Sequence, residues 1–390
     1  MGYDFSRDDV EYLRSSAGRD ALAEVDGYEL TTRTHLGDIS AVRARFAPHA
    51  SALIETVQLR RAAAGKLADP GDWLLTDDAL QQATARPVAA ARARRLAGRR
   101  VHDVTCSIGA DLRELSAQCA FVIGSDIDQV RLEMARHNVP EVPVVRADAL
   151  APVSRGAVVV ADPARRAGGR RRHDPASLVP PLPELMDVYA GHDLAIKCAP
   201  GLEAQALGWR GEVEVVSLDG GVREACLWSE GLSEPHVRRR ATVIRSAGAV
   251  SAEQYTDAMD DGVPEAPPGE WIIDPDGAVV RAGLVRHYAA AHGLWQLDPQ
   301  IAYLTGDRVP DGVRGHRIID RTRFSEKALR KVLRELDCGP LEILARGVDV
   351  DPDALRRRLK PRGTRSLSLV VTRIGRSATV FVCEPTVGGA

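Results

Sequence analysis

The 390-residue sequence predicts an α/β protein, a parallel sheet with helices on its faces between an N-terminal helical domain and a C-terminal α+β module. Three observations predict it. From residue 99 onward, short apolar runs alternate with helical stretches, the rhythm of βαβ units. Before that point apolar residues recur at helical spacing. Further on, the acidic, Pro- and Gly-containing stretch SAEQYTDAMDDGVPEAPPGE reads as a linker into mixed strands and helices. The expected domains are residues 1–98, 99–250 and 269–390.

In the first region, FSRDDVEYLRSSAGRDALAEV and ISAVRARFAPHASALIETVQLRRAAAGKL carry helical patterns. Asp69-Pro70-Gly71-Asp72 is a turn signal before Trp73. A further helical stretch starts at Thr76, a good N-cap, and ends at Gly98, with Pro87 expected to split it. In the second region VHDVTCS, FVIGSD, VPVVRAD, AVVVADP and DLAIKCA read as buried strands. LRELSAQ, QVRLEMARHN and SLVPPLPELMDVYA are helical stretches between some of them. EVEVVSLDGGVREACLWSEG reads as a hairpin turning around Gly220-Gly221, and HVRRRATVIRS as a further strand. The third region opens at EWIIDPDG. Its later part reads as helix (SEKALRKVLREL), strand (LEILARG), helix (DPDALRRRLK) and two strands (SLSLVVTRI and ATVFVCEP).

Composition narrows the function classes. The chain is 44% hydrophobic but only 4% aromatic, so its core is mostly Ala, Val, Leu and Ile. Lys plus Arg number 52 against 54 acids, a net charge of −2, so any nucleic-acid site must be a local patch. The six cysteines are scattered without a CxxC pair, which argues against a zinc knuckle and a disulfide framework. The N-terminus lacks an apolar signal core, and no apolar run approaches the roughly 18 residues a membrane span needs. A cytoplasmic protein without metal or membrane partner is expected.

The chemistry gathers at the strand ends. In VHDVTCSIGADLREL, Asp103 ends an apolar strand and a loop of small residues runs into a helix. Only Gly109 of a GxGxxG pattern is present, and Ser107 stands where a glycine is expected; an ordinary tight turn is the alternative. Asp126 ends the second strand, the position that hydrogen-bonds a ribose diol in nucleoside-binding sheets, whereas Asp128 reads as a helix cap. Asp148, after the third strand, is either an acceptor for an adenine amino group or a turn residue. Proline cannot sit inside a ladder, so Pro163 stops the fourth strand and leaves Asp162 at the carboxyl edge. Lys197 and Cys198 end the fifth strand on that same edge.

Four acids at four successive strand tips resemble the class I S-adenosylmethionine-dependent methyltransferases, whose sheet is Rossmann-like. The matching segments are DVTCSIGAD, VIGSDID, RADAL and VADPARR. Nicotinamide dehydrogenases want the fuller glycine fingerprint. With IKCAPGL, SLDGGVREACLW and the C-terminal module, the chain is similar to bacterial methyltransferases that carry a THUMP-like C-terminal domain. Its GDWLLTDDALQQATARPVA stretch also distantly resembles the trimethylguanosine synthases, where a comparable Trp-containing segment precedes the catalytic domain.

The resemblance implies S-adenosyl-L-methionine as cofactor, held by Asp103, Thr105, Ser107, Gly109, Asp126, Ile127, Asp148 and Ala149. It implies Asp162 and Pro163 as the catalytic pair, with Asp162 orienting an attacking N–H or taking up its proton. In similar enzymes this motif reads (Asp/Asn)-Pro-Pro-aromatic, and the aromatic stacks on the target base. Here Ala164 and Arg165 replace the second proline and the aromatic, and a guanidinium plane can also stack on a base. Arg165, Arg166 and Lys197 are the expected substrate contacts, with Arg170, Arg171 and Arg172 gripping phosphates nearby; a solvated loop is the alternative. Cys198 is either a nucleophile for carbon methylation or a small apolar residue. Trp73 and Trp228 are expected in the core or at the rim. Arg346, Arg356, Arg357, Arg358, Lys360, Arg362 and Arg365 form either a solvated face or an RNA-docking surface. THUMP domains deliver RNA to attached modification enzymes, so the resemblance implies an acceptor nucleotide in structured RNA, tRNA or rRNA. Two rivals stand beside it: a small-molecule methyltransferase, and an RNA-binding protein on an inactive methyltransferase fold, which Ser107 and the missing glycines favour.

Overall fold

The computed structural model describes residues 2–164, 166–167, 170–171, 174–202 and 204–385, with the backbone alone at 166, 167, 170 and 171. The chain divides into two units, Met1–Val213 with Glu224–Glu234, and Glu214–Arg223 with Pro235–Ala390.

The first unit begins with α1 (Arg7–Arg14), α2 (Ser16–Val25), α3 (His35–Phe46), α4 (Ala50–Ala63), α5 (Asp77–Gln82) and α6 (Arg86–Arg95). Each long helical run of the sequence breaks once, for a local reason. Ser15 ends α1 and caps α2 by accepting from the Gly18 amide. Pro48 separates α3 from α4. Thr76 caps α5 through the Ala79 amide, and Pro87 occupies the first turn of α6, where its missing N–H costs nothing. Leu13, Leu53, Leu74, Leu75 and Trp73 form the core of this region and pack with Ile108 and Met134, so Trp73 is a core residue.

There follow β1 (Arg100–Asp103), α7 (Ala110–Ser116), β2 (Phe121–Asp126), α8 (Gln129–Asn138), β3 (Val144–Arg146), β4 (Val158–Ala161), β5 (Arg166–Ala167), β6 (Arg170–Arg171), α9 (Leu182–Val188), β7 (Leu194–Cys198), β8 (Glu212–Leu218) and β9 (Gly221–Trp228). The sheet of this unit runs β9-β7-β4-β1-β2-β3. All its pairs are parallel except β7 with β9. The chain leaves β1 toward β2 and β3, then returns to place β4 on the other side of β1. Such a reversal is the switch point at which open α/β sheets bind ligands. The hairpin between β8 and β9 turns at Asp219-Gly220, one residue earlier than expected, because both adopt the positive φ (52° and 75°) that a tight two-residue turn demands.

The second unit comprises β10 (Arg239–Arg245), β11 (Ser251–Thr256), β12 (Trp271–Ile273), α10 (Gly277–Arg281), α11 (Val285–His292), β13 (Trp295–Gln296), β14 (Leu304–Gly306), β15 (Gly315–Arg323), α12 (Glu326–Glu335), β16 (Cys338–Arg346), α13 (Pro352–Leu359), β17 (Arg365–Ile374) and β18 (Ser377–Cys383). Its seven-stranded sheet runs β13-β14-β12-β15-β18-β17-β16, with β16 and β17 parallel and joined through α13. Leu355 and Leu359 of α13 bury against Leu341 and Leu367 of those strands. Two strands depart from the sequence expectation. SAEQYT is not linker but β11, paired antiparallel to β10 from Arg240↔Thr256 to Arg245↔Ser251. GHRIIDRTR forms β15, whose charged side chains and register shift at Ile318/Asp320 hide its alternation. No helix among the described residues is long and apolar enough to cross a membrane.

Candidate active site

Parallel register puts the ends of the first unit's strands on one rim. Asp103 stands opposite Gly124 of β2 and Val160 of β4, so the residues that follow these positions converge. A cavity of about 940 Å³ opens there. Asp103, Asp126, Asp148, Asp162 and Lys197 all line it. Thr105, Ser107, Ile127 and Ala149 line it too, whereas Gly109 and Pro163 do not.

The β1–α7 loop is tied to the neighbouring strand ends by hydrogen bonds. Asp103 Oδ1 accepts from the Thr105 amide (3.0 Å), and Asp126 Oδ2 accepts from the Ser107 amide (2.9 Å). The Asp162 amide donates to Thr105 Oγ1 (2.7 Å). Ser107 takes φ +49°, the left-handed conformation for which a glycine was expected. Gly109 takes φ +87°, and a Cβ there would lie 3.1 Å from Val139 Cγ2, so this position suits a glycine for both its turn and its packing. Asp128 caps α8 by accepting from the Val130 and Arg131 amides, as expected for it. Asp148 accepts from the Leu150 amide (2.9 Å), so it is a turn residue that also faces the cavity.

Behind the rim lies a buried ionic network. The Lys197 ammonium, on a side chain only 7% exposed, donates to Asp162 Oδ2 (2.6 Å), Asp111 Oδ2 (3.2 Å) and Thr84 Oγ1 (2.5 Å). Those are all three of its donors. Lys197 thus holds Asp162 while itself lining the cavity. Arg92 donates to Asp111 Oδ2 (2.9 Å) and to Glu224 Oε1. Thr84 and Arg92 belong to the α5–α6 segment, so the helical region completes the site. Sequence reasoning missed Thr84, Arg92, Asp111 and Glu224; the one signal was that Asp111 follows the β1 loop into the first turn of α7.

Burial and charge set the protonation of these groups. Burial pushes the Asp103 carboxyl up to about 7, and neighbouring Asp111 adds to the rise. Burial would also raise Asp111, but the Lys197 ammonium and the Arg92 guanidinium overcome it and hold Asp111 at about 2. Burial alone would lower the Lys197 ammonium, yet Asp111 and Asp162 raise it above the ordinary lysine range.

The Asp103 shift has a measurable consequence. Folded Asp103 holds its proton up to about pH 7, whereas an unfolded aspartate releases it near 4. Between those values the folded state binds more protons, so this residue's contribution makes stability fall as pH rises, and the fall ends above about 7. Urea unfolding across that window should show Asp103→Asn gaining on the wild type as pH rises; a constant difference would contradict the assignment.

Arg165 and Arg172, and the side chains of Arg166, Arg170 and Arg171, lie outside the described residues. Cys198 is buried, its thiol directed at the Ile196 carbonyl, and it does not line the cavity. Cys106 is likewise buried packing. Among the described residues no group of three or more His, Cys, Asp or Glu side chains is placed to hold a metal ion.

Comparison with known proteins bears on this site. Residues 313–385 match a family described as THUMP domain-like, and residues 6–63 match a domain of unknown function. An uncharacterized S-adenosylmethionine-dependent methyltransferase of Mycobacterium tuberculosis, present in two strains, is 55% identical over 362 residues, covering 88% of this chain and 100% of the relative. The crystal structure of a protein of Porphyromonas gingivalis, proposed to be a methyltransferase, matches with a TM-score of 0.74 over 98% of this chain and 99% of that one. At 17% identity, that likeness is one of fold.

Proposed function

The chain belongs to the S-adenosylmethionine-dependent methyltransferases, and from that premise we propose that it methylates a nucleotide of a structured RNA, tRNA or rRNA. In this reading residues 1–98, 99–250 and 269–390 are the helical, methyl-transfer and THUMP-like parts.

The residues at the rim fit the cofactor. Asp126, at the second strand's tip, suits the ribose diol, and Asp148 suits the adenine amino group. Asp103, Thr105 and Ser107 line the loop side, with Ile127 and Ala149 as apolar neighbours. Asp111 Oδ1 is buried without a hydrogen-bond partner and its residue lines the cavity, so the site has an acceptor to spare for a polar ligand. When bound, S-adenosylmethionine supplies an electrophilic methyl group on a sulfonium. Lys197 fixes one oxygen of Asp162 and leaves the other for the acceptor, to orient its N–H and receive the proton.

One observation carries the RNA reading. Arg330, Arg334, Arg357, Arg358, Lys360 and Arg362 line two adjoining concavities of about 590 and 520 Å³, with Asp337 the sole acid among the described lining residues. All of these cations fall within the THUMP-like match. Within the cluster Arg330 and Arg358 pair with Glu326, while Arg346 turns to Asp274, Arg356 to the Leu341 carbonyl and Arg365 to Glu384. Such a cluster suits phosphates, and each contact adds salt dependence. Arg357→Ala and Arg362→Ala should each weaken RNA binding evenly across sequences and reduce the salt slope by about 1. Filter binding between 50 and 200 mM salt checks this, and an unchanged slope would count against the surface.

The acceptor itself is tested by nucleoside mass spectrometry of RNA from cells with and without the gene. The expected result is a methylated nucleoside that disappears on deletion and returns with the wild-type gene but not with Asp162→Ala. An unaltered set of RNA modifications would remove RNA as the acceptor.

A further inference from the structure

The second unit holds a cavity of about 550 Å³ that methyl transfer does not use. Its size falls within the range of small-ligand pockets. Three buried polar atoms of its lining residues lack a hydrogen-bond partner: the Tyr288 hydroxyl, Arg346 Nη1 and Asp274 Oδ1. Arg346 Nη2 stands 2.8 Å from Asp274 Oδ1, in ion-pair contact but without the alignment of a hydrogen bond. The Tyr288 hydroxyl and Arg346 Nη1 have neither a hydrogen bond nor an ion-pair partner, and buried polar groups are nearly always satisfied, so these two point to a partner at this cavity.

These groups are held rigidly. Tyr288 is 2% exposed and packs edge-on against Tyr255 and beside His292. The Arg346 guanidinium lies over the Tyr303 ring at 5.0 Å. Asp274 directly follows β12, and Arg346 ends β16. Val243, Val313 and Leu344 supply apolar wall. Three arginines and four carboxylates line the cavity, so its charge is close to balanced. That balance disfavours a polyanion and favours a neutral group able both to donate and to accept.

We propose that this cavity binds a guanine base. A carboxylate beside a guanidinium offers acceptors next to a donor. The Watson–Crick edge of guanine is the complement: N1–H and the 2-amino group donate to Asp274, and O6 accepts from Arg346. The Tyr288 hydroxyl is then the donor for a further acceptor such as N7. Adenine presents the opposite order, an amino donor beside a ring acceptor, and leaves both protein groups facing their like. The base comes from a free guanine nucleotide or from a guanosine of RNA, and only the second source rests on the acceptor reading above.

Calorimetry on the full chain tests this with GMP, IMP and AMP. GMP should bind; IMP, which lacks the 2-amino group, should bind at least about tenfold more weakly, and AMP should not register. Asp274→Asn should erase the preference for GMP, and Tyr288→Phe, which removes only a hydroxyl, should weaken GMP binding while the melting profile stays cooperative. Failure of the wild type to bind GMP at millimolar concentration, or equal binding of AMP, overturns the proposal. Competition by a guanosine-containing oligoribonucleotide but not its inosine counterpart assigns the source to RNA; no competition assigns it to the free nucleotide. Asp162-dependent methylation of RNA is read separately, so either reading can fail alone.

Discussion

Asp162→Ala should slow methyl transfer by about three orders of magnitude while S-adenosylmethionine still binds, a loss within the range for a positioned acid or base. The geometry separates the two effects. The substitution removes the carboxylate that Lys197 holds at 2.6 Å, but the backbone contact from the Asp162 amide to Thr105 Oγ1 remains. Lys197 keeps Asp111 and Thr84, so its ammonium is not left unpaired. Asp126 and Asp148 sit on other strands and are undisturbed. The Asp162 side chain is 39% exposed, so its loss opens little cavity and the fold should persist. Single-turnover kinetics and calorimetry check the two halves. Joint loss of binding and transfer would show that Asp162 holds the cofactor rather than the acceptor; unchanged transfer would remove it from the chemistry.

Arg92→Met should destabilise the fold by about 3–5 kcal/mol, the cost typical of removing one partner from a buried ion network. The Arg92 side chain is 3% exposed and joins buried Glu224 to Asp111 at the cavity wall. Without it Glu224 loses its cation in a buried place and Asp111 is left with Lys197 alone. A Glu224→Gln change in the same chain should return part of the stability, because it removes the charge left stranded. Urea unfolding of both variants measures this. A single-variant effect below about 0.5 kcal/mol would place Arg92 among ordinary surface residues.

The strand-tip acids were legible because each carries a local marker. Pro163 stops β4 and exposes Asp162, while Asp126 closes an apolar run just before the cap of α8. The network behind them has no local marker. Arg92 sits among Arg94 and Arg95 in one helix, and only the helical phase against α7 and β9 turns it inward. Thr84 and Asp162 are brought to the same ammonium from segments 113 and 35 residues from Lys197. Lys197 therefore reads from the sequence as a substrate contact alone, and its hold on Asp162 shows only in the fold. Ser107 misled in the other direction. Its residue type suggests a damaged cofactor loop, yet its backbone adopts the left-handed turn, tied to Asp126. That geometry shows that Ser107 does not break the loop.

The most direct measurement is calorimetry of S-adenosylmethionine with the wild type and with Asp126→Ala. Strand-tip acids pinning the cofactor predict micromolar binding that weakens at least about tenfold in the variant, the loss expected for a hydrogen bond to a charged group. No binding at millimolar concentration, or equal binding by both proteins, would contradict it.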